Sequence, residues 1–127
     1  MENPEKLKNA RNILLKLHKS MLDLERDMHE GIHGKLNATE FINLLLDDED
    51  FAWLRQFSML IVEIDEMFAL KEAVTAEMVD ANLAKVRELV EMTEPDEYFR
   101  AKYKFALQRD PNAAGLHSQL KALLVKN

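Results

Sequence analysis

The stretch DFAWLRQFSMLIVEIDE, residues 50–66, decides the fold that the sequence predicts. On a helix with about 100° per residue, its apolar side chains and those that follow gather within an arc of roughly 140°. Glu63, Asp65 and Glu66 lie outside this arc. The stretch therefore predicts a core helix whose carboxylates mainly face water. The apolar arc comprises Trp53, Leu54, Phe57, Leu60, Ile61, Ile64, Met67 and Phe68.

The far side of the same helix mixes apolar and charged side chains. Phe51 is predicted to lie there, together with Met59 and Val62. A helix that is apolar around most of its circumference is usually central in a bundle or faces a second subunit. We therefore predict an interaction surface on this side of the helix. Its residues are Arg55, Met59, Val62 and Glu66.

Capping signals predict five or six helices, and no strand pattern competes with them. Asn3 and Pro4 suit the start of a first helix, and an apolar heptad extends it to about Glu30, with Gly31 and Gly34 at its end. Helices 1, 3 and 4 are predicted to form the bundle core, with helices 5 and 6 packed over it. The second helix is predicted after Asn37 or Thr39, and the third over about 49–71. The fourth is predicted from Thr75 to about Met92, the fifth over about 96–109 with Pro95 at its first position, and the sixth over about 112–126.

Composition favours a single all-α domain that spans residues 1–127. The chain is 47% hydrophobic, enough for a core, and has 3 glycines and 3 prolines, too few for a turn-rich β protein. It has no cysteine, which excludes disulfides and thiolate chemistry. No run of about 18 apolar residues predicts a membrane span. Together these features predict a cytoplasmic protein.

Charge is divided along the chain in a way that does not favour nucleic-acid binding. Residues 37–97 contain 16 acidic and 4 basic side chains, whereas residues 98–127 contain 1 acidic and 6 basic ones. An acidic middle repels nucleic acid and anionic membranes. Aromatic and basic side chains mix in residues 98–109, but Phe99 and Tyr103 share one helical face. That pattern is typical of a buried side with solvated basic flanks.

A second constellation raises the alternative of a metal-binding enzyme. His18, Glu25 and His29 form a column beside the heptad of helix 1, and imidazole with carboxylate suits zinc, iron or manganese. If this column faced Asp65 or Glu66 of helix 3, a metal site could form inside the bundle. Asp65 borders the core and therefore needs a donor or a cation. Its candidate partners are Arg11, His18 and Arg55.

The sequence lacks the motifs of helical di-iron centres, of phosphate-binding loops and of serine nucleophiles. The helical di-iron pattern requires two Glu-x-x-His copies, and the single copy here, Glu30 to His33, contains Gly31. There is no glycine-rich phosphate loop and no nucleophile elbow. The sequence therefore predicts no cofactor and no catalytic residue.

The segment around Trp53 resembles one found in small uncharacterised bacterial helical proteins. In these proteins a helix ending in Leu-His precedes a Phe-x-Trp-Leu-Arg helix and a stretch ending in Ile-Asp-Glu. The resemblance implies an all-helical fold of bacterial type and carries no assigned activity. The matching residues are Leu17, His18, Phe51, Trp53, Leu54, Arg55 and Ile61 to Glu66.

The function favoured by the sequence is therefore a non-catalytic protein–protein interaction or regulatory module. Its partner is an unknown protein, and the heptad of helix 1 with the extra apolar residues of helix 3 predicts a homodimer. The alternative is a metal-binding helical-bundle enzyme that uses side chains of helices 1 and 3.

Overall fold

A computed structural model describes residues 3–93 and 95–125. These residues form seven α-helices and one short 3₁₀ helix, without a strand. The all-α prediction is confirmed, with more helices than the five or six expected. The helices are α1 (Pro4–His33), α2 (Ala38–Asp47), α3 (Glu49–Ala52), α4 (Arg55–Phe68), α5 (Ala76–Glu91), α6 (Glu97–Arg109) and α7 (Pro111–Val125), and the 3₁₀ helix is Lys71–Ala73.

Helices α1, α4, α5 and α7 pack around one core. The long helix α1 contacts α4, α5 and α7, and its most extensive packing is against α7. Helix α6 packs against α7, whereas α2 packs against α3 and lays three partly buried residues, Phe41, Leu44 and Leu45, against the core. The prediction that the last helix only covers the core is therefore wrong. Helix α7 belongs to the core because Ala113, Leu120 and Leu124 are buried.

Helix α1 is organised by its predicted cap and heptad. The Asn3 side chain accepts a hydrogen bond of 2.7 Å from the backbone N–H of Glu5, and Gly34, with φ +90°, ends the helix. The first five heptad residues are buried inside this one chain. Although α1 has 30 residues, neither it nor another described helix is long and apolar enough to cross a membrane. The buried heptad residues are Leu7, Ala10, Leu14, Leu17 and Met21.

The predicted third helix is divided at Trp53 and Leu54. The backbone N–H of Leu54 donates to Phe51 over 3.1 Å, and Phe57 donates to Leu54 over 3.0 Å. These bonds span three residues and tighten the backbone locally. The tightening changes the angular positions of the side chains, and Phe51 is buried with Trp53 and Leu54. The prediction that Phe51 lies on the outer side of this helix is therefore wrong.

The remaining helix ends follow local capping chemistry. Thr75 accepts from Met78 at the start of α5, and Met92 ends α5 in a left-handed conformation with φ 56°. Asp96 accepts from Phe99 and is the N-cap of α6. Pro95 therefore precedes the cap and is not the first helical residue as predicted. The predicted end of the last helix at Lys126 lies outside the described residues.

Two adjacent leucines of α1 give a direct test of the packing. Leu14 is 0% exposed, whereas Leu15 is 43% exposed. We expect Leu14→Ala to lower the free energy of unfolding by about 2–5 kcal/mol, because it leaves a cavity in the core. Leu15→Ala should change it by no more than about 0.5 kcal/mol. Urea unfolding followed by circular dichroism measures both, and equal losses would contradict this orientation of α1.

Candidate interaction surface

A buried carboxylate joins three parts of the fold. Glu25 of α1 is 6% exposed and is the one buried charged residue in the described part of the chain. The indole N–H of Trp53 donates to Glu25 Oε1 over 3.1 Å, and Lys102 Nζ of α6 lies 2.8 Å from the same oxygen. A buried charge is tolerated where such partners compensate its desolvation. Glu25 is therefore engaged in an internal ion pair and is not open to a ligand.

Removal of Lys102 tests this internal ion pair. We expect Lys102→Met to lower the free energy of unfolding by about 2–4 kcal/mol, because it leaves the Glu25 carboxylate buried without its cation. This range is below the full cost of breaking a buried pair, because the Lys102 side chain is 20% exposed. Urea unfolding followed by Trp53 fluorescence measures the loss.

The matched control for this test is Lys104→Met on the exposed side of α6. This variant should remain within about 0.5 kcal/mol of the parent. The double variant Glu25→Gln with Lys102→Met should recover part of the lost stability, because no unpaired charge remains buried. A double variant no more stable than Lys102→Met alone would contradict the pairing.

Asp65 has the first of its three predicted partners. Arg11 Nε donates to Asp65 Oδ1 and Arg11 Nη2 donates to Oδ2, each over 2.9 Å. The hydrogen bond with Asp65 raises the pKa of Arg11 above its ordinary value. The Asp65 side chain is 49% exposed, so solvent screens this two-point pair. Its main effect is to fix the alignment of α1 against α4.

The candidate metal ligands do not come together. Glu25 is paired with Lys102, Asp65 is paired with Arg11, and Glu66 is exposed. His18 and His29 line two different grooves. Across residues 3–93 and 95–125, no group of three histidine, aspartate or glutamate side chains is arranged to hold a metal ion. The arrangement therefore gives no support to a metal centre between α1 and α4.

The predicted interaction residues form one exposed stripe along α4. Arg55, Met59, Val62 and Glu66 are all exposed and succeed one another at helical spacing. Met59 is 64% exposed and Val62 is 52% exposed. Arg55 Nη2 donates to the backbone oxygens of Leu45 (3.0 Å) and Leu46 at the end of α2. This contact ties the end of α2 to the stripe. We call Arg55, Met59, Val62 and Glu66 the α4 stripe.

Met59 stands between two grooves. One groove of about 340 Å³ lies between α1, α2 and α4, and the other, also of about 340 Å³, lies between α4 and α5. His18 and Ser58 are the polar side chains of the first groove besides Arg55, and Glu63, Lys85 and Glu88 line the second. The first groove has a mainly apolar lining. Its apolar residues are Leu22, Leu45, Leu46, Phe51, Leu54 and Met59.

Helix α2 adds apolar surface that the sequence interpretation missed. Leu46 is 65% exposed and Ile42 is 55% exposed, and α2 contains no buried residue. The run Leu44 to Leu46 indicated in the sequence that α2 exposes apolar surface, because three consecutive residues of a helix cannot all face the same neighbour. The apolar surface beside the α4 stripe is therefore wider than the sequence predicted.

A polar cluster at the start of α7 also escaped prediction. The Ser20 hydroxyl donates to Asp110, and Asn112 Nδ2 donates to Ser20 Oγ over 3.1 Å. Asp110 also accepts from the backbone N–H of Asn112 over 3.0 Å. The Ser20 hydroxyl therefore donates one hydrogen bond to Asp110 and accepts the other from Asn112. The cluster anchors the start of α7 to α1.

Two histidines occupy partly buried positions. The Tyr103 hydroxyl lies 2.7 Å from His117 Nδ1, and burial raises the pKa of Tyr103 far above its ordinary value. Burial lowers the pKa of His117, and the charge of Lys121 lowers it further. Burial also lowers the pKa of His18. Both imidazoles therefore resist protonation in the folded protein.

These depressed pKa values predict a loss of stability in mild acid. The unfolded chain takes up protons near pH 6.5, whereas the folded chain does so only at lower pH. The histidine contribution is therefore complete above pH 6.5 and falls as the pH drops towards the folded pKa values. Melting temperatures between about pH 5 and 8 should show a shallower decline for His117→Asn than for the parent. Identical declines would contradict a depressed pKa at His117.

Comparison with known proteins gives no relative. No protein-family model matches the chain, and neither a curated protein nor a solved structure matches it.

Proposed function

We propose that the chain is a non-catalytic protein–protein interaction module that binds its partner through the α4 stripe and the adjoining surface of α2. The observation that supports this proposal is the exposure of four large apolar side chains on these two helices. Exposed apolar patches often mark interaction sites. The four side chains are Ile42, Leu46, Met59 and Val62.

Charge indicates the chemistry of the partner. Glu66 belongs to the α4 stripe, Asp47 follows Leu46, and Glu63 and Glu88 line the groove beside Met59. Lys85 neutralises part of this charge through its 2.8 Å contact with Glu63. We therefore infer an amphipathic helix with apolar and basic side chains as the occupant. Such a helix places its apolar face in the groove and its cations against the acidic margin.

A second copy of the chain is the less favoured occupant. The homodimer prediction used the heptad of α1, but its first five residues are buried within one chain. The α4 stripe is the remaining predicted contact for a dimer, and a symmetric interface would bring the same acidic margin, with Glu63 and Glu88, to both sides. Like charges on the two sides of an interface oppose association. We also propose that the protein is bacterial and cytoplasmic.

A model peptide tests the proposed partner chemistry. The probe is a fluorescein-labelled helix of leucine and lysine at helical spacing, and its control replaces each lysine with glutamate. We expect saturable binding of the lysine peptide by fluorescence anisotropy, with weaker binding as salt rises. The variant Met59→Ser with Val62→Ser should weaken binding about tenfold or more, because it removes the central apolar contacts.

The matched control is Ile32→Ser, which removes a side chain that is 79% exposed near the end of α1. This variant should bind the lysine peptide as the parent does. Equal losses in both variants, or equal binding of the glutamate peptide, would contradict the proposal. A stable dimer in light scattering that the Met59→Ser/Val62→Ser variant abolishes would instead assign the surface to a second copy.

A further inference from the structure

The last turns of α1 carry a pair of histidines that the proposed function does not use. His29 and His33 are four residues apart on one helix face, and their ring centres lie 4.5 Å apart with an angle of 38° between the planes. His29 also contacts the ring of Phe51 at 6.1 Å, whereas His33 is exposed. One ring is therefore held against the protein and the other is accessible.

We propose that His29 and His33 form a two-point binding site for a divalent copper or nickel ion. His29, Glu30 and His33 form a His-Glu-x-x-His sequence, in which two imidazoles four residues apart on a helix bind one metal ion together. Here the pair has no second histidine pair opposite it, and water completes the coordination. The site lies in a different groove from the one beside the α4 stripe and does not depend on the proposed function.

The ligand chemistry favours these metals. Imidazole nitrogens suit copper(II) and nickel(II), and copper(II) has the highest affinity among the divalent first-row metals. The ring-centre distance of 4.5 Å shows that the two imidazoles are neighbours on the helix surface, so both can reach one ion.

The surrounding groove is suited to a cation. It has a volume of about 600 Å³ and three carboxylates in its lining, with Lys35 as the one opposing ammonium group. Glu40 accepts the backbone N–H of Asn37 and Asp48 accepts that of Asp50, so both serve as caps. Asp47 is exposed and is not used in either cap. Its charge should raise the local concentration of cations.

Copper titration tests this site. We expect one copper(II) ion per chain, with electron paramagnetic resonance showing coordination by two imidazole nitrogens. His29→Ala and His33→Ala should each weaken binding about tenfold or more, because each removes one of two protein ligands. Asp47→Asn should weaken it less. The affinity of the site for copper(II) should exceed its affinity for nickel(II), and magnesium should not compete with copper for the site.

His117→Asn is the matched control, because it removes an imidazole remote from the pair and should leave copper affinity unchanged. The exposed position of His33 makes His33→Ala the decisive variant, since its loss should not disturb folding. Unchanged copper affinity in His33→Ala would overturn the proposal. A resonance spectrum with a single coordinated nitrogen would also overturn it. Circular dichroism of each variant confirms that the helices remain intact.

Discussion

The burial of one charge determines how the outer helices meet the core. The Glu25 carboxylate is removed from water, and such a group needs compensation from a donor and a cation. Trp53 supplies the donor and Lys102 supplies the cation. The two partners come from separate parts of the chain, so α1, the turn before α4 and α6 must be in register for the charge to be satisfied. A nonspecific apolar core tolerates sliding of its helices, whereas this contact does not.

The register set by Glu25 also places the aromatic core. Trp53 packs against Phe57 and Phe99, with ring centres 6.1 Å away in each case, and Phe57 lies 5.2 Å from Tyr103. Tyr103 in turn contacts His117 of α7. A continuous chain of ring contacts therefore runs from the turn before α4 through α6 to α7. This chain explains why α6 contributes to the core although it packs beside the bundle.

The sequence predicted the helices that local chemistry determines. Caps such as Asn3 and Thr75, and the heptad of α1, depend on neighbours within a few residues. Tertiary contacts determine the rest. The division at Trp53 and Leu54 allows Phe51 to reach the core, and a 100° projection assumes one uninterrupted helix. The pairing of Glu25 with Lys102 joins residues 77 positions apart in the chain, so helical periodicity could not reveal it. The α4 stripe, in contrast, was visible because all four of its residues lie on one regular helix.

The left-handed end of α5 combines backbone strain with core packing at a single residue. Met92 has φ 56°, a conformation that glycine reaches readily and that a side chain with Cβ disfavours. Natural proteins commonly lie below their stability optimum, since selection removes only variants that fall under a threshold. The Met92 side chain also packs against the core, so a glycine at this helix end would relieve the backbone strain and lose that packing at the same time.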